Sequence, residues 1–170
     1  MRTPPATAGP TSAAFFDLDR TLLLGASGPV ISAALRRHGL LGHRSGLGER
    51  LAIGMYDLVG ETLPSVQLTR RGARVATGWP VATVLAVAEE VAPELEERVE
   101  PFARQAIDQH REAGRKLVLA TTTPNDLIEP FARRLGFDAV LATRYRTVDG
   151  EGSGPVYAGS IDGEFVWSQG

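Results

Sequence analysis

The stretch AAFFDLDRTL, residues 13–22, decides the fold. Its first part, residues 13–18, is a short apolar and aromatic run bounded by polar residues, which is typical of a buried strand. Asp17 and Asp19 stand at positions i and i+2, and side chains at that spacing on an extended backbone face the same way. The stretch therefore predicts a strand that ends in a pair of carboxylates.

Such a pair can do chemistry at the carboxyl end of a strand, which is where open α/β sheets bind their ligands. Two carboxylates can hold a hard cation such as Mg²⁺, or they can act as a nucleophile and an acid/base. The alternative is a plain Asp-x-Asp turn without function. A calcium loop is excluded, because Leu22 and Gly28 stand where it needs Gly and Glu.

A second buried strand is predicted at residues 116–120, KLVLA, and a helix is predicted at 124–135. Thr123 is predicted to be the N-cap of this helix, with Pro124 at its first position and Asp126 at its third. The expected result is a strand, a short threonine-rich turn and a helix N-terminus in direct succession.

The turn between them, Thr121 to Thr123, suits a phosphate group, because backbone N–H groups and the helix dipole attract anions there. Capping does not need Thr121, so its hydroxyl is the better phosphate-binding candidate, and Thr122 beside it is the second. Plain helix capping is the alternative for this turn.

Between the two strands the sequence predicts only helices, because no stretch alternates as a half-buried strand does. The predicted helical segments are one ending near Gly39, one over about 47–60, one carrying Arg70, Arg71 and Arg74, and two at 81–92 and 94–113. Pro93 is expected in the first turn of the last helix, and Pro101 is expected to kink or break it. The arginine cluster is either a substrate-binding group or a solvated helix face.

Beyond residue 135, a third strand is predicted at 139–142 and a hairpin at 145–148 and 156–161. The first 12 residues are small, Pro-rich and lack the apolar stretch of a secretory signal, so a flexible tail and a cytoplasmic protein are predicted.

The composition narrows the classes of function. The 170 residues carry a net charge of −2, so no basic field points to nucleic acid. There is no cysteine, which excludes thiol catalysis and disulfides, and no apolar run approaches the roughly 18 residues of a membrane span. Lys116 is the only lysine, so lysine chemistry has a single candidate.

The two motifs together resemble a known family. Residues 16–22, FDLDRTL, resemble the first motif of the haloacid dehalogenase (HAD) superfamily of phosphotransferases, and the strand ending in Thr121 resembles its second. Thr121 follows Asp17 by 104 positions, which is similar to the phosphoserine-phosphatase-like members with a cap inserted between these motifs.

The resemblance implies an α/β fold, namely a HAD-like Rossmannoid parallel sheet with an inserted α-helical cap. The expected organisation is a tail at 1–12, the core at 13–25 and 111–170, and the cap at 26–110.

The resemblance also implies roles for the site residues and a small phosphorylated substrate. Asp17 would attack phosphorus to form an aspartyl-phosphate, and its other oxygen would bind Mg²⁺. Asp19 would protonate the leaving alcohol and then activate water, and its backbone carbonyl would also bind the metal. Thr121 and Thr122 would hold phosphoryl oxygens together with nearby N–H groups. Thr21 is expected to fix the loop geometry.

The sequence departs from the family pattern in two motifs. The family's lysine usually follows a Gly soon after the hairpin, near Gly170, and Lys116 is expected at the opposite end of its strand. Asp149 and Asp162 do not match the later acidic pair that completes the metal site. The sheet is therefore expected to be incomplete, with the Asp17 strand as an exposed apolar edge at which the chain can self-associate.

These departures predict weak or no phosphatase activity for a truncated chain of 170 residues. The alternative function is a non-catalytic phosphate-binding or regulatory remnant of the same fold. A metal-dependent glycosyltransferase using Asp-x-Asp is disfavoured, because only 12 residues precede Ala13 and leave no room for a nucleotide-binding domain.

Overall fold

The structure is a computed structural model that describes residues 12–42, 65–152 and 154–162. The predicted helix over about 47–60 and most of the predicted tail lie outside the described residues. Helices in the described ranges are α1 (Gly28–Arg37), α2 (Ser65–Val75), α3 (Val81–Glu97), α4 (Pro101–Glu112) and α5 (Asn125–Arg134). Strands are β1 (Ala13–Asp17), β2 (Lys116–Pro124), β3 (Ala139–Thr143), β4 (Tyr145–Gly150) and β5 (Gly154–Ile161).

The three strands predicted at 13–18, 116–120 and 139–142 form one parallel sheet in the order β1-β2-β3. Parallel strands need long crossover connections, which the helices of the chain provide. β4 and β5 pair antiparallel as the predicted hairpin. The predicted α/β fold is therefore confirmed, and the hairpin strands are longer than the sequence indicated.

The middle strand of the sheet carries the core. Three successive residues of β2, Leu117 to Leu119, are buried, as expected for a parallel strand covered on both faces. Helices α4 and α5 pack on β2, α3 packs along α5, and α1 packs on α3. The core around them is lined mainly by leucine, valine, isoleucine and alanine, with Phe131 of α5 as its largest fully buried side chain.

Strand β1 lies at the edge of the described sheet. It pairs with β2 along its length, while the Phe15 side chain is 64% exposed. The prediction of a fully buried strand is thus wrong for this face, and the prediction of an apolar edge agrees with the structure. Self-association through this edge stays a prediction.

The helices between the two motifs differ from the prediction at two prolines. Pro93 does not begin a helix but lies inside α3, on an exposed side of it where solvent can reach the backbone carbonyl that the missing N–H leaves unpaired. Pro101 does break the predicted helix at 94–113, because Glu100 before it is extended and α4 starts at the proline. Phe102, predicted on the apolar face, is therefore 64% exposed.

Phe131 tests the position of this core. Replacing it with Ala is expected to cost about 3–5 kcal/mol of unfolding free energy, because it removes a ring that is fully buried. The same substitution at the exposed Phe102 is the matched control and is expected to change the free energy by about 0.5 kcal/mol or less. Urea unfolding followed by circular dichroism measures both, and equal losses would contradict the packing described.

Candidate active site

The two sequence motifs meet at one edge of the sheet because of strand register. Asp17 ends β1 and lies opposite Ala120 of β2, so Thr121 follows directly beside the end of β1. Asp17 is exposed and Asp19 is partly buried. The structure therefore brings the predicted acidic pair and the predicted phosphate loop together at the carboxyl ends of two neighbouring parallel strands.

The loop after β1 is fixed by buried leucines. Leu18 and Leu22 are fully buried, and the N–H of Leu22 donates to the carbonyl oxygens of Asp17 and Leu18. The Thr21 hydroxyl donates to Asp17 Oδ2 over 2.9 Å, which agrees with its predicted role in the loop geometry. One carboxylate oxygen of Asp17 is thus oriented by the chain itself.

Arg20 occupies the tightest point of this loop. Its φ of 60° is the only positive value at a non-glycine residue in the described part of the chain. That conformation is uncommon for side-chain-bearing residues and needs support from its surroundings. The support comes from a bond between the Arg20 N–H and the Gly25 carbonyl, and from the Leu22 carbonyl, which accepts from the Glu100 N–H.

Asp19 is held by the start of α1. The backbone N–H of Ser27 donates to Asp19 Oδ1 over 2.6 Å, and Ser27 is the residue immediately before α1. Backbone N–H groups at a helix start have no partner within the helix, and they favour a negative charge. The orientation of the second carboxylate is therefore set by a helix terminus.

The predicted phosphate-binding turn, Thr121 to Thr123, is an irregularity in β2. Between β2 and β3, Ala120 pairs with Leu141 but Pro124 pairs with Thr143, so β2 accommodates two extra residues at this point. Bulges of this kind re-aim side chains and are common beside active sites. The regular part of β2 ends at Ala120, as the sequence predicts.

Within this irregularity the Thr121 hydroxyl accepts a hydrogen bond from the Thr123 N–H over 3.1 Å. Its own proton can then be donated to a phosphoryl oxygen. Thr122 is exposed, and its carbonyl accepts from the Thr143 hydroxyl over 3.2 Å. The two predicted phosphate-binding residues thus lie at the predicted edge in a loop held by neighbouring backbone.

The predicted cap of α5 is wrong. Thr123 is not its N-cap: Pro124 holds that position with ψ of 135°, and the helix begins at Asn125. The residue before a proline is pushed towards extended backbone, which keeps Thr123 in the strand. Thr123 is buried, and its hydroxyl lies 3.4 Å from the Ser27 hydroxyl.

Sequence reasoning missed Ser27. A signal was present, since Ser followed by Gly and Pro at 27–29 is a typical helix start. The pattern does not reveal that the start of α1 contacts both Asp19 in the loop after β1 and Thr123 in the threonine turn of β2.

The hairpin of β4 and β5 contacts α5, the helix that follows the threonine turn. The Tyr157 hydroxyl of β5 donates to Asp126 Oδ2 in the first turn of α5 over 2.6 Å. Burial, and then the Asp126 carboxylate, raise the pKa of Tyr157 above its ordinary range. The Tyr157 backbone also bonds to Trp79 and Gly78, so the hairpin links the start of α5 to the connection between α2 and α3.

Lys116 lies at the wrong end of its strand to act on the site, as predicted. It pairs with Ala13, four residues before Asp17 along β1, or about 13 Å away at the usual rise of a strand. Its ammonium group donates to Asp138 Oδ1 over 2.6 Å. That bond, and then the Leu117 N–H, hold the pKa of Asp138 below its ordinary value of 3.8.

The Asp138 contact predicts a pH dependence of stability. A carboxyl with a lowered pKa in the folded state stabilises the fold above its unfolded pKa, and this contribution is lost as the pH falls through the folded value. Asp138→Asn is therefore expected to lower Tm at neutral pH and to differ less from wild type as the pH falls below about 3.8.

Thermal unfolding between pH 7 and about pH 2 measures this difference. Asp149→Asn, in the exposed part of β4, is the control for loss of one carboxylate. A Tm difference for Asp138→Asn that stays constant over this range would contradict the ion pair.

The donor atoms of this edge fit a magnesium ion in part. Mg²⁺ is usually bound by one or two carboxylates with waters and substrate phosphate, and the Asp17 carboxylate and Asp19 carbonyl supply oxygen ligands of that kind. The described residues contain no cluster of three or more His, Cys, Asp or Glu side chains that would complete an all-protein site. Further ligands could be water, phosphate, other oxygen atoms of the chain or groups outside the described ranges.

Comparison with known proteins identifies the family. The model of the haloacid dehalogenase-like hydrolase family matches residues 14–168. The chain therefore belongs to this family. The family resemblance of the two motifs is confirmed.

Relatives and solved structures agree with that assignment. Phosphoserine phosphatase SerB1 of Mycobacterium tuberculosis is 33% identical over 163 residues, which are 94% of this chain and 51% of the relative. A probable phosphatase of the same organism is 33% identical over 165 residues, or 91% of this chain and 56% of the relative. The chain spans about half the length of these curated relatives.

Among solved structures, a Bordetella pertussis protein of unknown function has a TM-score of 0.71 at 25% identity, covering 91% of this chain and 67% of its own. A phospho-aspartyl intermediate analogue of phosphoserine phosphatase has a TM-score of 0.55 at 19% identity, covering 91% and 64%, and shows the shared fold. No helix in the described part of the chain is long and apolar enough to cross a membrane.

Proposed function

We propose that this chain carries the nucleophile, the acid/base and the phosphate loop of a Mg²⁺-dependent phosphatase that hydrolyses a small phosphomonoester. The observation that carries the proposal is the register of Asp17 with Ala120, which places the end of β1 and its acidic pair next to Thr121. The family match and the phosphatases among the relatives support the same reaction.

In the first step an Asp17 carboxylate oxygen attacks phosphorus, and the bond from phosphorus to the leaving oxygen breaks. Asp19 gives its proton to that oxygen, so the alcohol departs neutral and Asp17 becomes an aspartyl-phosphate. Thr21 orients Asp17, and Thr121 and Thr122 with nearby N–H groups hold the phosphoryl oxygens. Phosphoryl transfer depends mainly on such positioning and on charge neutralisation.

In the second step Asp19 takes a proton from water, and the resulting hydroxide attacks phosphorus. The bond to Asp17 breaks, and inorganic phosphate leaves with both aspartates restored to their starting state. Asp17 and the Asp19 carbonyl would hold Mg²⁺, which when bound neutralises charge on the phosphoryl oxygens. The two carboxylates thus divide nucleophilic and acid/base work.

We extend the proposal to the organisation of the chain. In this proposal residues 13–25 and 111–170 belong to the core and 26–110 are the inserted helical segment that would select a small phosphorylated substrate. Its helices α3 and α4 pack on α5 and β2, so they share the core, and the cap bounds stay a prediction. The exposed Arg70, Arg71 and Arg74 of α2 fit a solvated face, and a role for them in substrate binding stays a prediction. The net charge of −2 fits a protein without a nucleic-acid partner, and a cytoplasmic location stays a prediction.

A second function, phosphate binding without turnover, is favoured by the position of Lys116. The only lysine of the chain is bound to Asp138 at the far end of β2 and cannot neutralise a phosphoryl group at Asp17. Slow hydrolysis, or binding alone, is therefore expected of these residues.

Release of phosphate from O-phospho-L-serine and p-nitrophenyl phosphate tests the function. Slow Mg²⁺-dependent release is expected for the chain and for Asp149→Asn, since Asp149 lies in the hairpin away from the sheet edge. Asp17→Asn is expected to reduce release to the rate without protein, because the nucleophile is lost.

The outcomes separate the two functions. Mg²⁺-dependent binding of inorganic phosphate that requires Asp17, without turnover, favours the binding function. Turnover that persists in Asp17→Asn, or the absence of both turnover and binding, contradicts the proposal.

A further inference from the structure

Ser27 is a buried polar residue that contacts both site loops. It is 1% exposed, and its backbone N–H donates to Asp19 Oδ1 over 2.6 Å. Its hydroxyl lies 3.4 Å from the hydroxyl of the buried Thr123, 96 positions further along the chain. One residue therefore contacts the loop that follows β1 and the irregularity that ends β2.

The hydroxyl of Ser27 is not used as an ordinary helix cap. Ser27 occupies the N-cap position of α1, where a serine side chain usually accepts from an N–H of its own helix. No such side-chain bond is made, and its backbone is helical with φ of −72° and ψ of −27°. The hydroxyl instead faces Thr123, and the orphan N–H at this helix start is satisfied by Asp19.

We propose that Ser27 is a positioning residue for the acid/base. Its N–H fixes the Asp19 carboxylate, while its hydroxyl lies against Thr123 of the threonine turn without being required for that positioning. This inference rests on the proposed function for its catalytic consequence, while the contacts themselves can be tested without turnover. A buried contact of this kind acts through geometry, since Ser27 itself need not touch the substrate.

The catalytic consequence depends on the leaving group. An alcohol such as the serine side chain leaves poorly unless Asp19 delivers its proton, whereas p-nitrophenolate leaves well without one. General acid catalysis typically contributes about 10²- to 10⁴-fold. Misplacing Asp19 should therefore reduce hydrolysis of O-phospho-L-serine more than hydrolysis of p-nitrophenyl phosphate, which a general loss of folding would not do.

Amide hydrogen exchange tests the contact directly. The Ser27 N–H is expected to be protected in the wild-type chain and to exchange at least about tenfold faster in Asp19→Ala, because the N–H at a helix start then loses its acceptor. Asp149→Ala, on the hairpin, is the control and is expected to leave this exchange unchanged. Equal exchange in wild type and Asp19→Ala overturns the proposal even if the chain has no activity.

Two substitutions at Ser27 test the consequence. Ser27→Pro removes the N–H at a φ that proline adopts, while Ser27→Ala keeps the N–H and removes only the hydroxyl. For Ser27→Pro, the ratio of kcat/KM for O-phospho-L-serine to kcat/KM for p-nitrophenyl phosphate is expected to fall at least about tenfold, because kcat/KM reports the step in which the leaving group departs. For Ser27→Ala the ratio is expected to stay near that of wild type.

The results separate this inference from the proposed function. Equal losses with both substrates in a folded Ser27→Pro chain would overturn the positioning role while leaving the phosphatase function standing. The wild-type chain and its variants could all fail to turn over both substrates, or Ser27→Pro could fail to fold. In either case the exchange rate of the Ser27 amide, compared between wild type and Asp19→Ala, decides whether Ser27 positions Asp19.

Discussion

The pairing register of β1 with β2 is the constraint on which the site depends. In the parallel ladder Asp17 lies opposite Ala120. The last residue of β1 therefore lies beside Thr121, the first residue after the regular part of β2. A slip of one residue would turn every side chain of β1 to the opposite face, moving the Asp17 side chain away from the loop that carries Thr121. The buried run Leu117 to Leu119 opposes such a slip, because it fills the core between the helices.

The loop after β1 and the threonine turn of β2 carry the candidate site residues. Both are held in place by groups that have no proposed role in the reaction. The buried side chains of Leu18 and Leu22 fix the turn after β1, and the Ser27 N–H at the start of α1 holds the Asp19 carboxylate. In β2, two extra residues relative to β3 interrupt the ladder between Ala120 and Pro124, where the threonines stand, and α5 follows directly. The result is an edge on which the chain's own contacts orient two carboxylates and a hydroxyl, and the proposed phosphoryl transfer depends on positioning of this kind.

Much of this arrangement could be predicted from the sequence, because strand and helix signals are local. The buried runs at 13–18 and 116–120 predicted both motif strands, and the Asp pair and threonine turn predicted what their ends carry. The errors lie where prolines act with their surroundings: Pro93 is accommodated inside α3, and Pro124 displaces the helix cap from Thr123. The contact of Ser27 with Thr123 could not be predicted, because it depends on how α1 packs, and no local pattern encodes a contact across 96 positions.

The most direct test of the account is a crystal structure of the chain grown with Mg²⁺ and beryllium fluoride, which mimics a phosphoryl group on a carboxylate. The expected result is beryllium bonded to an Asp17 oxygen, with a fluorine within hydrogen-bond distance of the Thr121 hydroxyl. Beryllium fluoride bound at another carboxylate, or at Asp17 with Thr121 turned away from it, would contradict the claim that these two loops form one phosphoryl-binding site.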